Sequence, residues 1–95
     1  MHEDVNVRSM EKESTFATNE LALAAFLLAT GHRMVCIEPG SDGKILFVFP
    51  DEPNRENAVL AFWLGQGRVD PVTYYHCIGR VKSLLRDCLR RQGGR

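Results

Sequence analysis

The sequence predicts a small α+β domain whose elements run helix, strand, strand, helix, helix. Three observations carry that reading. Arg33 to Pro50 holds two apolar, β-branched and aromatic runs around a Pro-Gly-Ser-Asp-Gly turn, the pattern of a β-hairpin. Leu21 to Ala29, LALAAFLLA, is a run of strong helix formers that is apolar nearly all round. Tyr74, Ile78, Val81, Leu85 and Cys88 step by four, three, four and three, the stripe of an amphipathic helix. With 95 residues, 44% of them hydrophobic and 25% charged, the chain is one domain of ordinary globular composition.

The elements follow in order. Residues 1–15 are polar with no sustained period and are expected to form a flexible segment before a single domain at 16–92, with a flexible tail at 93–95. Thr18 offers an N-cap, and Asn19 to Thr30 is the first helix, stopped by Gly31. A helix apolar on every side is a buried one, so this element is central. In the hairpin, Pro39 to Gly43 is the loop. Alternation puts Ile45, Phe47 and Phe49 on one face and Leu46 and Val48 on the other. Met34 and Cys36 likewise oppose Val35 and Ile37. Neither strand has a polar face, so helices must pack the hairpin. Asp51-Glu52-Pro53 reads as the start of a helix over Asn54 to Leu64, ended by Gly65 and Gly67. Val59, Phe62 and Trp63 share one side of it, which predicts Trp63 in the core. Asp70 caps the last helix, Pro71 to about Arg91, where Leu84 and Leu89 widen the stripe.

Composition and spacing exclude more functions than they suggest. His32 follows a helix stop and reads as an exposed loop residue, and His76 falls on the polar side of the last helix. Neighbouring helical positions do not face each other, so His76 and Cys77 are no base and nucleophile. No histidines stand at metal-binding spacing, and the Gly-Ser-Asp-Gly turn has neither the Gly-Lys-Ser/Thr ending of a phosphate loop nor the spaced acids of a calcium loop. The expectation is a protein with no catalytic residues, no metal and no cofactor. Cys36, Cys77 and Cys88 all lie in apolar runs and read as buried free thiols in a reducing compartment. Met1 to Thr15 has no apolar core, so it is no signal peptide, and Leu21 to Ala29 is too short to span a bilayer. These features predict a cytoplasmic protein with no membrane partner.

Formal net charge is zero, so no whole-molecule field draws the chain to nucleic acid. The distribution is uneven, however. From Met1 to Glu20 five acids (Glu3, Asp4, Glu11, Glu13 and Glu20) face Arg8 and Lys12, and from Arg80 to Arg95 six bases face Asp87 alone. On the last helix Lys82, Arg86 and Arg90 form a row at i, i+4 and i+8 that borders the apolar stripe, while Arg80 and Arg91 lie round the far side. Together with Tyr75, read as half exposed, these five cations are the candidate nucleic-acid-binding residues. Gly79 is an odd residue inside a strong helix and would let a phosphate chain or another backbone approach closely. Cations near a helix C-terminus also complement its dipole, and Arg stems shield apolar edges. The alternative function is a protein-interaction module, an accessory subunit or an inhibitor of a host protein, suggested by the zero net charge and the apolar excess. A homodimer is also expected. Lys44 to Phe49 reads as a flat edge strand with no interior block, able to pair across a two-fold axis through Ile45, Leu46, Phe47 and Val48. The other route to a dimer is the apolar stripe from Tyr74 to Cys88.

One resemblance covers about Thr18 to Leu89. Thr18-Asn-Glu-Leu-Ala-Leu-Ala-Ala-Phe-Leu-Leu is followed by Gly31, Phe47-Val-Phe49-Pro-Asp51, Phe62-Trp63-Leu-Gly65, Val69-Asp70-Pro71, Tyr75 and Lys82-Ser-Leu-Leu. This order is similar to a family of short domains of unknown function found in phages, plasmids and other mobile elements. The shared residues are packing and capping residues, so the resemblance implies a fold and a mobile-element setting but no catalytic residue. Pro50, between Phe49 and Asp51, departs from the family pattern and is expected to end the second strand early.

Overall fold

A computed structural model describes residues 15–93. Six elements follow one another: β1 (Phe16–Thr18), α1 (Leu21–Ala29), β2 (Cys36–Pro39), β3 (Ile45–Phe49), α2 (Arg55–Trp63) and α3 (Pro71–Gly93). The expected order of helix, hairpin, helix and helix is present, preceded by one short strand. The predicted flexible segment falls on residues that, Thr15 apart, lie outside the described ones, as do residues 94 and 95 of the tail.

Helix α1 organises the rest. Leu23, Ala24, Ala25 and Leu27 are all but inaccessible to solvent and share one cluster with Phe47 and Phe49 of β3 and Cys77 and Val81 of α3. Its start is set differently from the sequence reading. Thr18 belongs to β1, and its Oγ1 accepts a hydrogen bond at 3.0 Å from the N–H of Glu20, which is the N-cap residue. Its end is a Schellman motif. The N–H of Gly31 donates to the carbonyl of Leu28 at 3.1 Å, and that of His32 to the carbonyl of Leu27 at 2.9 Å. This closure needs a left-handed residue, and Gly31 supplies φ 100°. The same motif ends α2, where Gly65 at φ 73° donates to Phe62 and Gln66 to Ala61.

The sheet is antiparallel, in the order β1-β3-β2. Cross-strand partners share a face. Phe16 with Phe49, and Thr18 with Phe47 and Ile37, line the face turned to the helices. Ala17, Val48, Cys36, Leu46 and Glu38 line the outer face, where Glu38 and Cys36 are exposed, so one face does go to water. Alternation breaks at the entry to β2: Met34 packs against the core, while both Val35 and Cys36 are exposed. Val35 donates to the carbonyl of Val48 at 2.7 Å although Cys36 is the register partner of Val48. Two residues against one is the count of a β-bulge.

The strand order corrects the expected dimer contact. Strand β3 is central, with β1 along one side and β2 along the other. Ile45, Phe47 and Val48 are buried and Leu46 half-buried, so these four residues hold the domain's own sheet together and offer no free edge. The edge was misassigned because β1 is only three residues long, too short for a period to show. The alternative route is likewise occupied. Val81, Cys77 and Cys88 are buried, and Tyr74, Ile78 and Leu85 pack on the core, with the Tyr74 hydroxyl donating to the carbonyl of Ala22 at 3.2 Å.

Helix α2 starts later than expected. Asp51, Glu52 and Pro53 lie in the turn before it, and Asn54 is its N-cap at φ 71°, a left-handed conformation that Asn tolerates. Its contact line runs through Arg55, Ala58, Val59 and Phe62, the last with its ring centroid 5.5 Å from that of Phe26. Trp63 lies about a quarter turn off that line, at about 100° per residue, and is 58% exposed, not in the core. Helix α3 starts as expected: Oδ2 of Asp70 accepts from the N–H of Thr73 at 2.9 Å. That bond lowers the carboxyl of Asp70 below its ordinary range.

Two stability measurements check this packing. Leu27→Ala should lower unfolding free energy in urea by about 2–5 kcal/mol, since a fully buried leucine leaves a cavity. Gly67→Ala should lower it by about 1–3 kcal/mol, because an added Cβ would stand 2.7 Å from the Phe26 ring. An unchanged midpoint for the glycine variant would mean the ring is not held there.

Candidate functional site

The basic residues of α3 do not form one patch. The buried stripe Cys77–Val81–Cys88 divides them between two flanks, as 3.6 residues per turn requires. Arg80, Leu84 and Arg91 lie on one flank, and Tyr75, Lys82, Arg86 and Arg90 on or beyond the other, with Gly79 between Tyr75 and Lys82. The sequence places the row Lys82–Arg86–Arg90 beside the apolar stripe and Arg80 and Arg91 round the far side; in the structure Arg80 and Arg91 sit with Leu84 next to the buried stripe.

Arg80 and Arg91 face the segment between α1 and β2. Together with Leu28, residues 31–37 and Leu84 they line an open groove of about 740 Å³. The Schellman closure of α1 delivers this wall, because it fixes the positions of Gly31 and His32. His32 is tucked in, not exposed as expected. Its Nδ1 lies 3.2 Å from Oε1 of Glu52, and Nε of Arg33 lies 3.4 Å from Oε2 of the same carboxylate. Burial alone pushes the Glu52 carboxyl up. The hydrogen bonds from His32 and the Arg33 backbone, with the charges of both, outweigh that and hold it below its ordinary range. No sequence signal pointed to this cluster, since its members are twenty residues apart and Glu52 reads as part of a helix start.

Cys36 also lines the groove and is exposed, in contrast to the expected burial of all three thiols; Cys77 and Cys88 are buried. Local desolvation, then the charge and hydrogen bond of Glu38, raise the Cys36 thiol, so it is held in its protonated, less nucleophilic form. Among the described residues no three His, Cys, Asp or Glu side chains converge as metal ligands would.

On the outer flank Tyr75 is 74% exposed, more than the half expected, and its ring lies 5.9 Å from that of His76. Arg86 donates to the Ser83 hydroxyl at 3.3 Å, and Arg90 is bonded to Asp87. The Arg90 hydrogen bond is the main cause of the lowered Asp87 carboxyl, with help from the charges of Arg90, Arg91 and Arg86. Among the described residues Arg80, Lys82 and Arg91 make no hydrogen bond and no salt bridge. Gly79 has nothing within 4 Å of the place a Cβ would take.

A third feature was not anticipated. Leu60, Trp63 and Leu64 are each more than half exposed on α2, beside a shallow groove of about 390 Å³ lined by Phe16, Arg55 and Val59. Arg55 is buried there, its guanidinium 5.1 Å from the Phe16 ring centroid and Nη2 3.4 Å from Oδ1 of Asp51.

Against known proteins, residues 13–87 match the family described as a domain of unknown function, DUF5659. The chain belongs to that family. The match covers every element of the domain but the last six residues of α3. No curated protein and no solved structure matches. Among its described residues this DUF5659 domain has no helix long and apolar enough to cross a membrane.

The Glu52 cluster makes a pH prediction. Its folded carboxyl titrates below the unfolded one, so the ionised pairing adds stability above the unfolded value, about 4.3. That stability is lost as pH falls through the lower folded value. Glu52→Gln should therefore lower the melting temperature at neutral pH, and the gap to wild type should close on acidification to about pH 3. A gap that persists unchanged at low pH would show that the carboxylate's charge is not its source.

Proposed function

We propose that this domain is a non-enzymatic, cytoplasmic binding module of the mobile-element type that contacts nucleic acid through the outer flank of α3. The observation that supports this reading most is Gly79. A glycine inside a helix destabilises it by up to ~1 kcal/mol against alanine, and here no neighbour needs the missing side chain. The bare backbone it leaves is bordered by Tyr75 one turn before and by Lys82 and Arg86 after it, all exposed. That arrangement suits a phosphate chain: cations for the phosphates, a ring for a base to stack on, and room between them. Among the described residues Lys82 has no hydrogen-bond or salt-bridge partner and Arg86 bonds only a hydroxyl, which leaves both charges to meet phosphate. The mobile-element setting rests on the resemblance of the packing and capping residues, and it agrees with a DNA-directed role.

The test is fluorescence anisotropy with single- and double-stranded DNA at two salt concentrations. Affinity should fall steeply with salt, and Lys82→Ala with Arg86→Ala should reduce the slope of log affinity against log salt by about 2. Gly79→Ala separates function from fold: it should raise stability by up to ~1 kcal/mol while weakening binding. No binding at low salt would sink the reading. The protein-interaction reading also draws on a specific feature, the groove on the opposite flank.

A further inference from the structure

We propose that the groove between the free edge of β2 and the Arg80–Arg91 flank of α3 receives an extended acidic segment of a partner protein, which joins the sheet as a further strand beside β2. This inference does not rest on nucleic-acid contact, because it uses the other side of the helix.

The argument begins at the backbone. Among the described residues β2 is an edge strand, paired only with β3. Gly40 donates to the carbonyl of Lys44 at 2.7 Å, which makes 40 and 44 a hydrogen-bonded pair. In an antiparallel ladder such pairs alternate, so Glu38 with Leu46 and Cys36 with Val48 bond inward, and Ile37 opposite Phe47 turns its N–H and carbonyl to the free edge. Pro39 has no N–H to give, so it closes one end of that edge, and the bulge at Val35–Cys36 bends the other. The edge is short and guarded at both ends, which limits indiscriminate pairing and sets a register for a specific one.

The opposite wall supplies the charge. Arg80 and Arg91 are about 16 Å apart along the helix at 1.5 Å per residue, the length of about five residues of extended chain. Neither makes a hydrogen bond or a salt bridge within the described residues. Arg33 adds a third guanidinium at the loop wall, and its acidic partner among the described residues, Glu52, is shared with His32. Among the described residues no acidic side chain lines the groove. Between the cations the lining is aliphatic: Leu28, Met34, Val35, Ile37 and Leu84. A segment with alternating apolar and acidic residues would lay one set on this floor and the other toward the arginines, while its backbone bonds to Ile37. Nucleic acid fits the same space less well, because among the described residues no Phe, Tyr or Trp lines it to stack a base, and the His32 imidazole is held against Glu52.

The experiment pans a phage-displayed library of random octapeptides against the full chain. Enriched peptides should be acidic, apolar at alternate positions and free of central proline. The best of them, synthesised and labelled, should bind in solution and give the Ile37 amide slower hydrogen exchange. Arg80→Gln with Arg91→Gln, which keeps much of the apolar stems, should weaken it about tenfold, with unchanged circular dichroism. Lys82→Gln with Arg86→Gln should leave it unaltered. Methylation of alternate peptide amides should abolish binding, since those amides pair with the edge. The proposal falls if enrichment is absent, or favours basic or proline-rich peptides. It falls equally if the methylated peptide binds as well, or if the Arg80/Arg91 variant binds the peptide normally. Competition by an oligothymidylate whose affinity is lost in the same variant would make the groove a nucleic-acid site instead.

Discussion

Helix α1 must be covered on every side, and the other elements are arranged by that requirement. Nine residues of LALAAFLLA leave no stripe that water can hold, so one layer cannot shelter them. The sheet covers one side with Phe47 and Phe49, α3 another with Cys77 and Val81, and α2 a third through Phe62 against Phe26. Ala24 and Ala25 are wholly buried, and their small side chains allow these close approaches. Strand β3 supplies two fully buried phenylalanines from mid-sheet, and β1 and β2 take the edges.

Elements were legible wherever a single segment carried its own signal. The amphipathic period of α3, the Asp70-Pro71 start and the two apolar runs around the Gly-rich turn needed no tertiary information, and each lies where the sequence places it. Failures came where meaning depends on a distant partner. Phe16–Thr18 is a strand only because β3 is beside it, and Thr18 read alone is a good cap. Asp51 and Glu52 read alone begin a helix, yet one pairs with Arg55 and the other with His32 and Arg33. Trp63 is apolar enough for a core that never reaches its quarter of α2, and Cys36 is turned outward by a bulge no period could foretell.

The candidate site was half legible for a related reason. Counting bases finds that α3 is cationic, and angular position separates the two flanks. What each flank faces is set by α1: its closure at Gly31 and His32 carries the chain back along the Arg80 side, while among the described residues Tyr75 and Gly79 on the other side stay open. One flank therefore became a groove wall and the other an open surface. A single helix thus presents two chemically similar faces with different shapes, one suited to a ligand that enters a cleft and one to a ligand that lies across a surface.

Formal neutrality conceals this. The domain's acids are largely engaged inside it: Asp51 with Arg55, Glu52 with His32 and Arg33, Asp70 at the α3 cap, and Asp87 with Arg90. Each lies in a turn or at a helix position from which it reaches a donor nearby. Arg80, Lys82 and Arg91 lie on the flanks of a long helix and make no salt bridge among the described residues. Charge that sums to zero over 95 residues thus leaves, among the described residues, three cations of α3 outside any salt bridge. Screening over about 8 Å at physiological salt keeps the acids and these cations from cancelling across the molecule. A ligand at α3 meets the local cations and not the balanced total, so the absence of net charge is no argument against an anionic partner.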